Sequence, residues 1–474
     1  MPPMRTRFAP SPTGFLHIGG LRTALYAYLV AKQTGGEFLL RIEDTDQERS
    51  VPGAVENILS TLHFAGLDPD QKPVIQSERL PLYKKYAAQL QRDGYAYPCF
   101  CTQGRLNQMR KDQMARKEAP MYDRLCCALS QEQIKKRIEA GEPHVLRLKI
   151  PREGKTIFDD DIRGTVEFKN WVVDDQVLLK SDGFPTYHLA HVVDDHLMDI
   201  GLVIRGEEWL SSLPKHLLLF QYLGWKPPRY AHVPLILNKD KSKLSKRQSD
   251  VAVEDYIQNG YLPEALLNFV ALLGWNSGTP QDIFSLKELI DQFSIERVQK
   301  HGAVFDTDKL NWLQGQWIRK IPTQEFAERI RPLVEKGFSS ARIDEHFLER
   351  AALVHERITF FNEAPDMMAF FYQTSDVPLD VLLNKKQHVT EANIAQILQT
   401  IIHTLENISD WSPDALLEQF RFSAEKNKLK LGQLLWPLRA ILTGKPFSPG
   451  ATEVASALGK EETMRRLKNA SYKC

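Results

Sequence analysis

Pro10-Ser11-Pro12-Thr13-Gly14-Phe15-Leu16-His17-Ile18-Gly19-Gly20 is the stretch on which the reading of this chain turns. Its first five residues are dense in turn formers and support no regular element. Before it, Arg5 to Ala9 reads as a short strand. After it, Leu21 to Lys32 carries helix formers with an apolar stripe at Leu21, Leu25, Tyr28 and Leu29, and stops before Gly35 and Gly36. Phe38, Leu40 and Ile42 then mark a second strand that ends in acidic Glu43, Asp44 and Asp46. Strand, loop, helix, strand is the first unit of a nucleotide-binding α/β fold, whose ligands sit beyond the carboxyl ends of the strands. The loop suits a phosphate: glycines at a helix start present backbone N–H groups at the positive end of the dipole, and His17 adds an imidazole donor. Taken alone, a His-x-Gly pattern is most often a glycine-rich turn with a surface histidine.

The rest of the chain is too long to share one core with that unit, since 474 residues call for two to four domains. A composition of 43% hydrophobic and 26% charged residues excludes disordered and fibrous classes. Apolar runs fall short of the ~18 residues that cross a bilayer. Met1 to Phe15 holds arginines and prolines where a signal peptide needs an apolar segment, so a soluble cytoplasmic protein is expected. The net charge of +1 is unevenly spread: from Arg421 to Cys474 eleven Lys/Arg face four Asp/Glu, leaving a mildly acidic body and a basic tail. Such a tail is either a solvated helical surface or a nucleic-acid face.

Residues 51 to 95 look helical and 96 to 180 mixed, with β-like Val145 to Ile150, Thr165 to Phe168 and Val177 to Leu179. After the turn Asp182-Gly183-Phe184-Pro185, an apolar and helical pattern resumes through Val203-Ile204-Arg205 and Lys215 to Leu223. From about 323 onward the chain reads as all-helical, with stripes such as Ile394, Ile397, Leu398, Ile401 and Leu405. Four of five cysteines, Cys99, Cys101, Cys126 and Cys127, fall within 29 residues. An odd total in a chain read as cytoplasmic argues for a metal site over a disulfide framework.

A second basic element, Lys239, Lys241, Lys243, Lys246 and Arg247 around Lys243-Leu244-Ser245-Lys246-Arg247, suits neutralising charge on a reacting triphosphate. With the His17 loop it resembles the paired signatures of class I aminoacyl-tRNA synthetases, in generic form His-Ile-Gly-His and Lys-Met-Ser-Lys-Ser. Within that class the glutamyl-tRNA synthetase family is matched closely by Arg7-Phe8-Ala9-Pro10-Ser11-Pro12-Thr13-Gly14, Arg41-Ile42-Glu43-Asp44-Thr45-Asp46, Gln76-Ser77-Glu78-Arg79, Pro185-Thr186-Tyr187-His188-Leu189, Val193-Asp194-Asp195-His196 and Arg205-Gly206-Glu207-Glu208-Trp209. The tail runs Lys430-Leu431-Gly432-Gln433 and Pro437-Leu438-Arg439 continue the match. Gly20 replaces the second histidine of the generic signature.

The chemistry of the amino acid agrees. Glutamate carries two carboxylates and one ammonium, so a selective site needs two cationic clamps and an anion, preferably arginines that bind carboxylates bidentately. The resemblance implies that Arg7 and Tyr187 hold the side-chain carboxylate, Arg205 the α-carboxylate and Glu43 the ammonium, with Ala9 and Ser11 nearby. It implies ATP contacts at His17, Gly19, Gly20, Glu208, Ile236 and Lys246, and a catalytic set of His17, Gly19, Lys243, Ser245 and Lys246. His191 stands where close relatives often carry asparagine. Arg357 sits where discriminating relatives read the third anticodon base, a task a guanidinium performs by bidentate hydrogen bonds and stacking. Cys99-x-Cys101, Tyr122 and Cys126 resemble the structural zinc element of some family members, with Cys127 as an alternative to Tyr122.

The fold so implied is α/β: a class I Rossmann-type domain over 1–80 and 186–238, and an inserted α+β acceptor-stem domain over 81–185. A stem-contact domain with the basic loop follows over 239–322, then an all-helical anticodon-binding region over 323–474. The implied activity is glutamate–tRNA ligation with ATP, Mg²⁺ and a structural Zn²⁺, on tRNA(Glu) and, as a second candidate, tRNA(Gln), by a monomer without membrane contact. Activation by analogy requires bound tRNA. A glutaminyl-tRNA synthetase would read Pro-Pro-Glu-Pro-Asn-Gly in the first loop, a glutamyl-queuosine enzyme would lack the helical tail, and a silent paralogue would have lost the phosphate loops.

Overall fold

The computed structural model describes residues 2–244, 252–338, 346–373, 377–445 and 448–471, which form two compact units, Met1–Leu310 and Asn311–Cys474. In the first unit strand β1 (Thr6–Phe8) leads through the Pro10–Gly14 loop into the helix Ile18–Gln33 and back to β2 (Phe38–Ile42). Every residue of β1 and β2 is buried, as expected of parallel strands covered on both faces. The helix begins three residues earlier than its apolar stripe suggests, because His17 caps it: its Nδ1 accepts from the Gly20 amide at 3.0 Å.

The segment after β3 (Val74–Ile75) supplies β4 (Ala96–Cys99), β5 (Val145–Leu148), β6 (Lys155–Asp160), β7 (Gly164–Lys169) and β8 (Val177–Leu179). The chain then returns through β9 (Leu202–Gly206), β10 (Arg229–Val233), β11 (Ile236–Leu237) and β12 (Ala303–Val304). The main sheet runs β3-β2-β1-β9-β10-β6-β7, parallel except for the β6–β7 hairpin, while β4, β5 and β8 form a separate antiparallel sheet. The inserted segment therefore does two things. It builds its own small sheet, and its hairpin continues the nucleotide-binding sheet beyond β10.

Val203-Ile204-Arg205, grouped above with a helical pattern, is the centre of β9 between β1 and β10. A short strand buried on both faces shows a continuous apolar run without alternation, and such a run does not distinguish strand from helix. Strand β6 was hidden for another reason: its carboxyl end merges into Asp159-Asp160-Asp161, which reads as loop.

Among the described residues the second unit contains helices and no named strand. In the helix Ile394–Glu406 the residues Ile394, Ile397, Leu398, Ile401 and Leu405 are all buried, as their spacing requires. No helix among the described residues is long and apolar enough to cross a membrane.

Candidate active site

The carboxyl ends of β1, β2 and β9 open into a cavity of about 830 Å³. It is lined by all six residues expected around glutamate, Arg7, Ala9, Ser11, Glu43, Tyr187 and Arg205, and by His17, Gly19, Gly20, Glu208, Ile236 and Lys243 of the nucleotide set. Ser245 and Lys246 lie outside the described residues. Arg357 belongs to the second unit, exposed just after the helix Phe347–His355. Its charge is felt at Arg439, whose guanidinium is held below its ordinary value chiefly by burial and then by Arg357; Arg439 in turn lies 4.8 Å over the Trp436 ring.

At the phosphate loop the Gly20 amide donates to His17 Nδ1, which places the proton of a neutral ring on Nε2 as the donor. A Cβ at Gly20 would come within 2.7 Å of Leu16 Cδ1, so the second histidine of the generic signature has no room here unless Leu16 moves. Arg22, one turn further on, is buried and donates to the carbonyls of Leu273, at 3.0 Å, and Pro234. It ties the helix to the segment that leads into β11.

The side of the cavity around Arg7 and Glu43 stands on a buried ion network whose charged members come from the quoted sequence segments. Asp195 receives Arg7 Nε at 3.1 Å and Arg41 Nη1 at 2.7 Å, while Arg41 Nη2 reaches Glu43 at 2.8 Å. Asp194 accepts from Gln76 at 2.8 Å, Arg79 at 2.9 Å and Tyr83 at 2.7 Å. Burial raises the Glu43 carboxyl, opposed by Arg41 and Arg7. For Asp195 burial also raises, but Arg7 and Arg41 outweigh it and hold the carboxyl well below its usual range. Sequence reasoning assigned no role to Arg41, Asp194 or Asp195. The available signal was charge inside the apolar runs Leu39-Leu40-Arg41-Ile42 and Val192-Val193-Asp194-Asp195, since unpaired charges are not tolerated there.

Arg205 is held from three directions. Its Nη1 donates to Tyr187 Oη at 3.1 Å, its Nε to His232 Nε2 at 3.0 Å, and His216 Nδ1 lies 3.4 Å from both terminal nitrogens. His188 Nδ1 approaches His216 Nε2 at 2.9 Å. His191 stacks on Tyr187 with ring centroids 5.0 Å apart, and its Nδ1 is 2.8 Å from Asp195 Oδ2, although the ring is not aligned for a hydrogen bond. Burial pushes His188 and His191 down to about 3, so both rings are neutral and neither adds a cation beside Arg7 and Arg205.

Two family models match the chain: "tRNA synthetases class I (E and Q), catalytic domain" over residues 3–312 and "Anticodon binding domain" over residues 325–471. The glutamate–tRNA ligase of Chlorobium luteolum is 45% identical, over 98% of this chain and 97% of that protein. The chain belongs to the glutamate–tRNA ligase family. The glutamate–tRNA ligase of Prosthecochloris aestuarii is similar to it at 46% identity over the same shares. Among solved structures, a glutamate–tRNA ligase from Elizabethkingia meningosepticum in complex with its amino acid matches with a TM-score of 0.90 and 35% identity, covering 99% of both chains.

The cysteines of the inserted segment form a second cluster in this member of the glutamate–tRNA ligase family. The ligating atoms of Cys99, Cys101 and Cys126 lie within 4.8 Å of one another. Tyr122 Oη sits 3.3 Å from Cys99 Sγ and 3.4 Å from Cys101 Sγ, and Cys101 Sγ is 3.5 Å from Cys126 Sγ. Donors bound tetrahedrally at about 2.3 Å for sulfur and about 2.0 Å for oxygen stand roughly 3.5 to 3.8 Å apart, so these four groups fit a zinc ion. Cys127 is not part of the group that meets. Tyr122 Oη is the oxygen that meets Cys99 and Cys101.

Proposed function

We propose that the cavity activates L-glutamate with ATP to glutamyl-AMP and pyrophosphate, and passes the glutamyl group to the 3′-terminal adenosine of tRNA(Glu). The observation that carries this reading is the convergence of two arginines, a buried glutamate and a glycine-rich helix start on one cavity. Arg205 takes the α-carboxylate, Arg7 with Tyr187 the side-chain carboxylate, and Glu43 the ammonium, with Ala9 and Ser11 alongside. ATP enters as its Mg²⁺ complex. His17, the helix start at Gly19 and Gly20, Lys243, Ser245 and Lys246 receive its phosphates, and Glu208 and Ile236 contact the adenosine. In-line attack of the α-carboxylate on the α-phosphorus forms the mixed anhydride and releases pyrophosphate, so no covalent enzyme intermediate is required. Positioning and charge neutralisation supply the acceleration.

Glutamate-dependent exchange of pyrophosphate into ATP in the presence of tRNA(Glu) tests this directly, and a chain that bound tRNA yet showed no exchange would be an adaptor. Lys246→Ala should slow exchange about a hundredfold or more, the loss of one transition-state donor worth ~3 kcal/mol, with a smaller effect on glutamate binding. Unchanged kinetics would remove the basic loop from the chemistry. Arg357 is assigned to anticodon reading, and acylation of purified tRNA(Glu) and tRNA(Gln) side by side measures how far this chain discriminates.

Cys99, Cys101, Tyr122 and Cys126 would hold a structural Zn²⁺, which cross-links the small lobe around β4 and supplies no reaction chemistry. Metal analysis of protein purified without added zinc should find about one equivalent per chain, and Cys126→Ser should lose it while ATP binding persists. Fully active, folded protein without zinc would leave these groups as buried thiols beside a phenol.

A further inference from the structure

Strands β9 and β10 run parallel in a register that sets His232 beside Arg205, and β10 pairs with β6 so that Tyr230 stands beside Asp160. Across these three strands runs a chain of side chains that ends at the amino-acid clamp. Asp160 Oδ2 lies 2.5 Å from His232 Nδ1, and His232 Nε2 accepts from Arg205 Nε at 3.0 Å. Asp160 and His232 are 3% and 0% exposed, and neither lines the cavity. The carboxylate is itself fixed from the backbone: Oδ1 accepts from the amides of Ile162 at 3.0 Å and Arg163 at 2.9 Å, and the His232 amide reaches both oxygens at 3.2 Å.

This arrangement permits one tautomer. Burial holds the His232 ring below its ordinary value, with the Asp160 hydrogen bond opposing and the Arg205 charge assisting, so the imidazole is neutral and carries one proton. A proton on Nδ1 is donated to the carboxylate and leaves the Nε2 lone pair facing the Arg205 N–H. A proton on Nε2 would set two donors against each other at 3.0 Å and leave the carboxylate facing a lone pair.

We propose that Asp160 and His232 are positioning residues for the amino-acid clamp: Asp160 holds the imidazole as the Nδ1–H tautomer, and His232 Nε2 anchors the Arg205 guanidinium in the orientation that meets the α-carboxylate of glutamate. The proposal rests on the reading of Arg205 as that clamp. It also gives the β6–β7 hairpin a function. By continuing the main sheet past β10, the inserted segment delivers a carboxylate to the back of the substrate site. Geometry explains why the device acts on Arg205 alone, since Arg7 has its own carboxylate in Asp195.

Asp160→Asn is the discriminating variant. The three backbone amides would retain the oxygen of the asparagine side chain on their side, which aims its NH₂ at His232 Nδ1. That group donates, the ring proton moves to Nε2, and the anchor of Arg205 becomes a repulsion. In tRNA(Glu)-dependent pyrophosphate exchange the KM for glutamate should rise about tenfold or more, while the KM for ATP stays within about twofold. In a His232→Gln background, where an amide oxygen can turn toward Arg205 whatever stands at 160, adding Asp160→Asn should change the glutamate KM by less than about twofold.

An unchanged glutamate KM in Asp160→Asn, beside a raised one in Arg205→Lys, would overturn the relay and leave the clamp standing. Equal rises in both KM values, or full additivity with His232→Gln, would reduce Asp160 to a structural residue and overturn it too. An Arg205→Lys enzyme with unaltered glutamate KM would sink the clamp and the relay together. The wild-type chain supplies a measurement that needs no variant to be active: ¹⁵N shifts of the His232 ring, assigned by the signals missing from His232→Gln, should report the proton on Nδ1. A proton on Nε2 overturns the proposal.

Discussion

Arg205→Ala is expected to weaken glutamate binding about thirtyfold to several-thousandfold while leaving ATP affinity within about threefold. Arg205 is 5% exposed and donates charge-assisted hydrogen bonds to Tyr187 and His232, so a carboxylate bound to it forms a largely buried pair. Removing one partner of such a buried pair costs ~2 to 5 kcal/mol, most of it because the carboxylate left behind keeps its desolvation penalty without its counter-charge. Each ~1.4 kcal/mol is tenfold in affinity. His17, Gly19 and Ile236, proposed for the nucleotide, stand at the first helix and on β11 rather than on β9 with Arg205. Calorimetric titration of glutamate and of ATP separates the two. A parallel collapse of ATP binding would mean that the cavity had deformed and that Arg205 is structural.

Asp195→Asn is expected to damage stability and binding together. The carboxylate is completely enclosed and is shared by Arg41, whose side chain is 0% exposed, and Arg7, at 4%. Asparagine keeps the shape but removes the charge, leaving two buried guanidinium groups short of a counter-ion. Breaking a buried pair in this way costs about 3 to 5 kcal/mol. The thermal transition of the Met1–Leu310 unit should fall by at least several degrees, and glutamate affinity should fall with it because Arg7 loses the group that orients it. The pH dependence has a definite sign. Asp195 is held well below its usual range in the fold, so its contribution is fully present above the unfolded value of ~3.9 and is lost as the pH falls through the folded one. Wild type and variant should differ by the full amount at pH 7 and converge in strong acid. Equal unfolding midpoints at pH 7 would show that the network carries no net stability.

The opening unit of the fold was legible because β1, the glycine-rich loop, the first helix and β2 are contiguous, and each carries a local signal: turn formers, a 3.6-residue stripe, a buried apolar strand. The helical tail was legible for the same reason, as the buried face of Ile394–Glu406 shows. The site residues were legible through paired motifs, and the structure brings twelve of them, from Arg7 to Lys243, to a single cavity. Strands β9 and β6 were harder, whereas Thr165 to Phe168, read as β-like, lies in β7. Strand β9 is a short run buried on both faces, which carries no periodicity, and it pairs with β1 far away in sequence, while β6 is exposed or half-buried up to Asp160 and ends in an acidic run that reads as loop.

On their own, the residues and the family resemblance they carry name the candidates: the side chains that could clamp two carboxylates, the loop that could receive phosphates, and the thiols that could share a metal. The motifs that carry the family resemblance are local runs of residues, so they name these candidates without any knowledge of register. How the groups are held emerges from the folded chain. Arg7 and Asp195 are 188 residues apart, Arg41 and Asp195 are 154, and Asp160 and His232 are 72. No local pattern links such positions. Parallel strand register sets His232 against Arg205, and burial drives a charged group there either to find a partner or to become neutral.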